Sequence, residues 1–138
     1  MPRFALLFHE MPDDSPRTSH WDLLLEHTGR LLTWALEREP AANTIIPAAA
    51  LPEHRLEYLT HEGDVSGGRG RVTRRDSGEF HWRSDMAARD TRVEVELRGE
   101  RLRGVAILIS DAAGAWRCSF TPSSVPPVPA PLSSSPES

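Results

Sequence analysis

The stretch HEMPDDSPRTSHWDLLLEHTG, residues 9–29, brings His9, His20 and Asp22 into one short segment. Two neutral imidazoles and a carboxylate suit a divalent transition metal, with water or substrate oxygens completing its shell. His20-x-Asp22 with a further His is also the two-His, one-carboxylate pattern of non-haem Fe(II) oxygenases. Three polar residues on the wet face of a strand pair would read the same way, and spacing alone leaves these readings open.

A second group lies in LPEHRLEY, residues 51–58, where His54 precedes Tyr58 by four positions. Imidazole titrates near neutrality, so a His here could donate to a phosphoryl oxygen or protonate a leaving group. Tyr58 would add a neutral hydrogen bond; an exposed His and a half-buried Tyr in a connecting segment is the plainer alternative. The third group is RGRVTRR, with Arg69, Arg71, Arg74 and Arg75 and no acid in seven residues. It follows EGDVSGG, whose glycines permit close backbone approach, and arginine forks match phosphate oxygens. A solvated strand with alternating Arg is the ordinary explanation. His27, His61 and His81 show no partner pattern and read as surface or structural residues.

Strands must position these groups. RFALLFH and HWDLLLE are short apolar runs bounded by turn residues, and Thr28-Gly29 joins the second to RLLTWAL as a hairpin. Side chains alternate across a strand, so Phe4, Leu6 and Phe8 can pack with Trp21, Leu23 and Leu25. His9, His20 and Asp22 then emerge together on the opposite face. Asp76-Ser77-Gly78 reads as the turn of another hairpin. Val93, Val95 and Leu97 alternate with charged residues before a turn at Gly99 and a return strand over Val105–Ile109. AWRCSF closes the set after an Asp-Ala-Ala-Gly turn. A short helix is expected within 42–51, limited by Pro47. The pattern predicts a mainly β protein: a small antiparallel β-barrel with one or two short helices.

The chain of 138 residues is large enough for one core without disulfides or structural metal. It divides into a folded unit over 1–120 and a Pro/Ser-rich tail over 121–138, whose composition predicts disorder. A net charge of −4 argues against a protein that coats nucleic acid by bulk electrostatics. All 16 basic residues are Arg, so arginine abundance alone supports no phosphate-binding claim. The single Cys118 excludes an intramolecular disulfide and suits a reducing cytoplasm. With no stretch of about 18 apolar residues and no signal-peptide pattern, a cytoplasmic, monomeric protein without membrane contact is expected.

Taken in order, these pieces resemble the 3′-phosphoesterase domain of bacterial DNA ligase D and its free-standing relatives. Phe4 to His9 matches the family's opening F-x-x-x-x-H. HWDLLLEHTGRLLTWAL, His20 to Leu36, matches H-Y/W-D-x-R-L-E-x-x-G-x-L-x-S-W-A-V/L. PEHRLEY, Pro52 to Tyr58, is similar to E-D-H-P-L-E/D-Y, and HEGDVSGGRGRV to the family's F-E-G with its Gly-rich turn. GERLRGVAILI and Trp116 are similar to the closing segments, so the resemblance spans roughly 3–120.

The resemblance implies a compact β-barrel that uses a divalent metal, typically manganese, to trim DNA 3′ ends. Such enzymes remove a terminal ribonucleoside and then the remaining 3′-phosphate, leaving a 3′-OH for polymerase or ligase. Carried over by position, His9, His20 and Asp22 are the metal ligands, and His54 contacts the scissile phosphate with Tyr58 beside it. Arg38 takes the place of a phosphate-contacting basic residue. The ion would polarise a phosphate oxygen and lower the pKa of a bound water, while His54 and an Arg offset developing charge. The expected partners are DNA or RNA-tipped DNA 3′ ends, with a ligase or polymerase supplied in trans.

Three family polar positions differ: the Arg two residues after Asp22 is Leu24, the Gln two before His9 is Leu7, and the Glu of E-D-H is Pro52. The interval between His9 and His20 is also longer than the family's, through MPDDSPRTS. Arg17 in that insert and Arg55 beside His54 are candidates to compensate, with Arg69 and Arg71 as further phosphate or nucleic-acid contacts. A non-catalytic DNA-end or repair-complex binding module on the same barrel is the alternative reading.

Overall fold

The computed structural model describes residues 1–123, so the expected disordered tail falls almost wholly outside the described residues. Among the described residues nine strands form one antiparallel sheet: β1 (Arg3–Glu10), β2 (His20–His27), β3 (Arg30–Leu36), β4 (Ile45–Arg55), β5 (Gly63–Asp64), β6 (Arg71–Trp82), β7 (Arg92–Gly99), β8 (Arg103–Ser110) and β9 (Trp116–Pro122). The order is β1-β2-β3-β4-β9-β8-β7-β6-β5, and β1 also pairs with β6. Eight strands thus close into a ring with β5 added at the end of β6, and closure removes the exposed edges an open sheet would present. β9 carries the pairing through Thr121 and Pro122, two residues into the segment expected as tail.

Alternation fixes which face looks inward. Phe4, Leu6, Leu23, Leu25, Trp34, Leu36, Phe80, Val93, Val95, Leu97, Leu108 and Trp116 fill the interior with their neighbours, and Trp21 packs against them. Trp34 and Trp116 meet edge to face at 5.6 Å between ring centroids, spanning the interior from β3 to β9. The β2–β3 hairpin turns on Thr28 (φ 47°) and Gly29 (φ 79°), the double left-handed geometry whose twist suits a two-residue loop.

A second apolar cluster lies on the outside of the wall. Ala5, Leu7, Leu24 and Leu31 point away from the interior, as does Val72 of β6, and Leu59 and Val65 complete the cluster with Tyr58 packed alongside. Leu59 and Val65 belong to the segment 56–70, here called the strap, which begins in a 3-10 turn at Leu56–Leu59. A second 3-10 turn spans Met86–Ala88, and these two turns are the short helices.

Two local expectations are corrected. The helix expected within 42–51 is instead the first half of β4, where Ile45–Ala48 pair with β9 and Ala48–Leu51 with β3. Ring closure needs a strand between β3 and β9, and that demand overrides the helix propensity of three alanines. Asp76-Ser77-Gly78 is not a hairpin turn but the middle of the continuous strand β6. The register shifts between Leu6 and Leu7, leaving Arg75 as the extra residue of a bulge. Beside it the buried Asp76 carboxylate accepts from the backbone N–H groups of Glu100 (3.0 Å), Arg101 (3.1 Å) and Leu102 (2.7 Å), holding the β7–β8 turn. A Cβ at Gly99 would run into that carboxylate. Asp in mid-strand is here a turn clamp acting on another hairpin.

Candidate metal centre and the cleft around it

The β1–β2 register places His9 directly opposite His20 and Leu7 opposite Asp22. Because the inward positions are Phe4, Leu6, Leu23 and Leu25, all three polar side chains lie on the outer face, at the end of the apolar cluster. His20 and Asp22 are buried, at 6% and 2% exposure, and His9 is half-buried. One ligand atom from each of the three residues lies within 4.8 Å of the others.

The hydrogen bonds decide which nitrogens are available. His20 Nδ1 stands 2.9 Å from the Thr18 carbonyl oxygen, which can only accept, so Nδ1 carries the proton and Nε2 is left with its lone pair. His9 Nε2 donates in the same way to the Arg69 carbonyl at 2.6 Å. The remaining nitrogens face one carboxylate: His20 Nε2 is 3.1 Å from Asp22 Oδ1, and His9 Nδ1 is 3.3 Å from Asp22 Oδ2. His20 Nε2 and Asp22 Oδ1 are buried, close and out of hydrogen-bond alignment, so neither is satisfied by the protein. Buried polar atoms without partners are costly, and imidazoles oriented by carbonyls are the usual support of a metal site. The donor set and its unsatisfied atoms therefore fit a divalent cation.

Electrostatics agree. The Asp22 carboxylate raises the His9 pKa above its ordinary value, against burial and with help from the Arg69 carbonyl, while the nearby Arg17 charge opposes it. Burial alone would raise the Asp22 pKa, but the His20 and His9 imidazoles overcome it and hold the carboxyl below its usual range.

The three residues lie at the bottom of a cleft of about 700 Å³. His54 and Tyr58 line it with Arg17, Arg55 and Arg69, so eight of the residues singled out from sequence share one cavity. Arg38 and Arg71 do not line it. Arg38 reaches the Ile45 carbonyl at 3.5 Å, and Arg71 faces Asp64 at 3.9 Å beside the neighbouring depression. His54 lies within β4, paired with Leu31, rather than in a connecting segment. Its Nδ1 donates to the Pro52 carbonyl at 3.0 Å, which leaves Nε2 as the free nitrogen. The ring meets Tyr58 edge to face at 5.6 Å, and Tyr58 meets His61 at 5.5 Å. His61, read from sequence as a surface or structural residue, ends a three-ring ladder and donates to the Asp64 carbonyl at 3.1 Å.

The arginines differ in freedom. Arg55 faces Glu57 at 3.6 Å, and the Arg69 guanidinium curls back onto the Ser66 carbonyl at 2.7 Å. Arg17 is exposed, and its loop is held by its own N–H donating to Ser15 Oγ at 3.1 Å. Leu7 and Leu24, where the resemblance expects polar residues, are 1% and 0% exposed under the strap. Leu7 floors the cleft, Pro52 lines it, and Leu24 is sealed beneath.

Comparison with known proteins adds the family. A family model described as the DNA ligase D 3′-phosphoesterase domain matches residues 13–110. The multifunctional non-homologous end joining protein LigD of Mycobacterium bovis is 33% identical over 106 residues, covering 72% of this chain. The multifunctional non-homologous end joining DNA repair protein LigD of Mycobacterium tuberculosis matches with the same identity and coverage. The chain spans about 14% of the length of these relatives. Among the described residues no helix is long and apolar enough to cross a membrane.

Proposed function

Because this chain belongs to the DNA ligase D 3′-phosphoesterase family, we propose that it is a metal-dependent phosphoesterase that processes DNA 3′ ends in repair or end joining. The observation that carries the reading is the pair of buried, unsatisfied ligand atoms, His20 Nε2 and Asp22 Oδ1, beside His9 Nδ1. His9, His20 and Asp22 would hold the divalent ion, with manganese the family's usual metal. When bound, such an ion supplies positive charge to a phosphate oxygen and acidifies a coordinated water.

The chain's own groups supply the rest. His54, with Nδ1 committed to Pro52, presents Nε2 as the proton-handling nitrogen for a leaving oxygen. Tyr58 packs against that ring and limits its rotation. Arg17 supplies charge to the phosphate from the β1–β2 loop, with Arg55 and Arg69 on the rim of the cleft. Arg38 and Arg71, outside the cleft, would contact nucleic acid only beyond the reacting phosphate. The substrates are DNA or RNA-tipped DNA 3′ ends, and a ligase or polymerase would use the resulting 3′-OH.

The test is release of a 3′-terminal ribonucleoside or 3′-phosphate from a labelled primer with and without Mn²⁺. Metal-dependent release that disappears in His20→Ala and Asp22→Ala, with both variants folded, supports the reading; equal activity in the variants refutes it. Leu7, Leu24 and Pro52 favour a second reading, a DNA-end binding module without turnover. Primer binding with no release under Mn²⁺ would select it.

A further inference from the structure

We propose that the Gly-rich turn Ser66–Gly70 is the support of the metal centre, with the Arg69 carbonyl as a positioning group that makes His9 a ligand through Nδ1. The inference rests on the metal reading above and adds the atom used and the element that imposes it. The His9 ring has two nitrogens, and without a constraint either could face Asp22. The Arg69 carbonyl at 2.6 Å occupies Nε2 and can only accept, so Nδ1 is the nitrogen left for a metal. His20 is fixed the other way, with Thr18 holding Nδ1. The centre therefore combines one Nδ1 and one Nε2 ligand, each set by a backbone carbonyl.

The turn is built to place that carbonyl. Gly67, Gly68 and Gly70 have φ of 77°, 69° and 84°, a left-handed series that other residues rarely adopt. The Arg69 side chain closes the turn on itself through Nε to the Ser66 carbonyl (2.7 Å) and Nη2 to Ser66 Oγ (3.2 Å). Val65 N–H donates to the Gly70 carbonyl at 2.8 Å and closes the base of the turn. Gly70 lies against Glu10, the residue after His9, so closely that a Cβ would run into the Glu10 carbonyl oxygen. The turn and the end of β1 thus meet where the His9 ring must be oriented. A glycine-rich segment that reads as a phosphate cradle instead orients an imidazole.

Two measurements test this. Long-range ¹H–¹⁵N spectra of the metal-free protein, at a pH where His9 is neutral, should show the Nε2–H tautomer; the Nδ1–H tautomer would overturn the proposal. Mn²⁺ titrations followed by electron paramagnetic resonance should show Gly70→Ala binding about 10–100-fold more weakly than wild type, the range for losing a group that orients a ligand. Arg69→Ala keeps the carbonyl but loses the two bonds to Ser66, and should weaken binding less than Gly70→Ala does. A folded Gly70→Ala protein with wild-type Mn²⁺ affinity would also overturn the proposal. If Gly70→Ala fails to fold, the tautomer in the wild-type protein decides. Wild-type protein that takes up no Mn²⁺ overturns the metal reading itself, a result distinct from either failure.

Discussion

His20 Nε2 and Asp22 Oδ1 stand 3.1 Å apart in a buried site, and no hydrogen bond joins them. An ion that satisfies both atoms binds the folded chain and not the unfolded one. Its binding should therefore raise the unfolding temperature, by the equivalent of about 2.7 kcal/mol when free metal is a hundred times the dissociation constant. Thermal scans with Mn²⁺ and with chelator should separate for the wild type and coincide for Asp22→Ala.

The metal-free protein should be most stable in mildly acidic solution as far as this site is concerned. His9 has a pKa raised above its ordinary 6.5, so its contribution is complete below pH 6.5 and is lost as pH rises through the folded value. Asp22 has a pKa lowered below its ordinary 3.8, so its contribution is complete above pH 3.8 and is lost as pH falls through the folded value. Urea denaturation of wild type and His9→Gln in chelator should differ most between those two pH values. A difference that grows above neutrality would contradict this.

Arg17→Ala should weaken binding of a 3′-phosphorylated primer more than Arg55→Ala, because Arg55 already faces Glu57. A lost charge-assisted hydrogen bond costs about 1.5–3 kcal/mol, or roughly 10–100-fold in affinity. Fluorescence anisotropy at fixed salt measures the loss, and Mn²⁺ affinity should not change. Equal losses for the two variants would remove Arg17 from its special place.

Leu24→Arg restores the family's residue and should still damage the protein. The side chain is 0% exposed beneath Leu59 and Val65, so the guanidinium would be buried without a partner or would lift the strap. Leu24→Ala should cost about 2–5 kcal/mol by denaturant unfolding, and Leu24→Arg at least as much. Wild-type stability in Leu24→Arg would show that the strap yields freely.

Much of this fold was legible because alternation and turn residues are local signals. Thr28-Gly29 marked a hairpin, and Val93, Val95 and Leu97 marked an inward face, as the structure has them. No helix forms within 42–51 because ring closure is a demand of the whole sheet, invisible in three alanines. Asp76-Ser77-Gly78 looked like a turn because its partners, Glu100 to Leu102, lie far along the chain. At the site, His9, His20 and Asp22 shared a face as strand parity required. The Arg69 carbonyl beside His9 Nε2 could not be read from sequence, since a backbone carbonyl leaves no mark in residue type. His61 could have been found only by noticing its spacing from Tyr58.

The His9–His20 pairing across β1 and β2 has one more consequence. A slip of one residue between these strands would turn one ring toward the Trp-lined interior and leave the other outside. The donor set exists in one alignment only, and β1 is also the strand that seals the ring against β6. A cation captured there would be a checksum on assembly: a correctly threaded barrel would retain it and a misaligned one would release it.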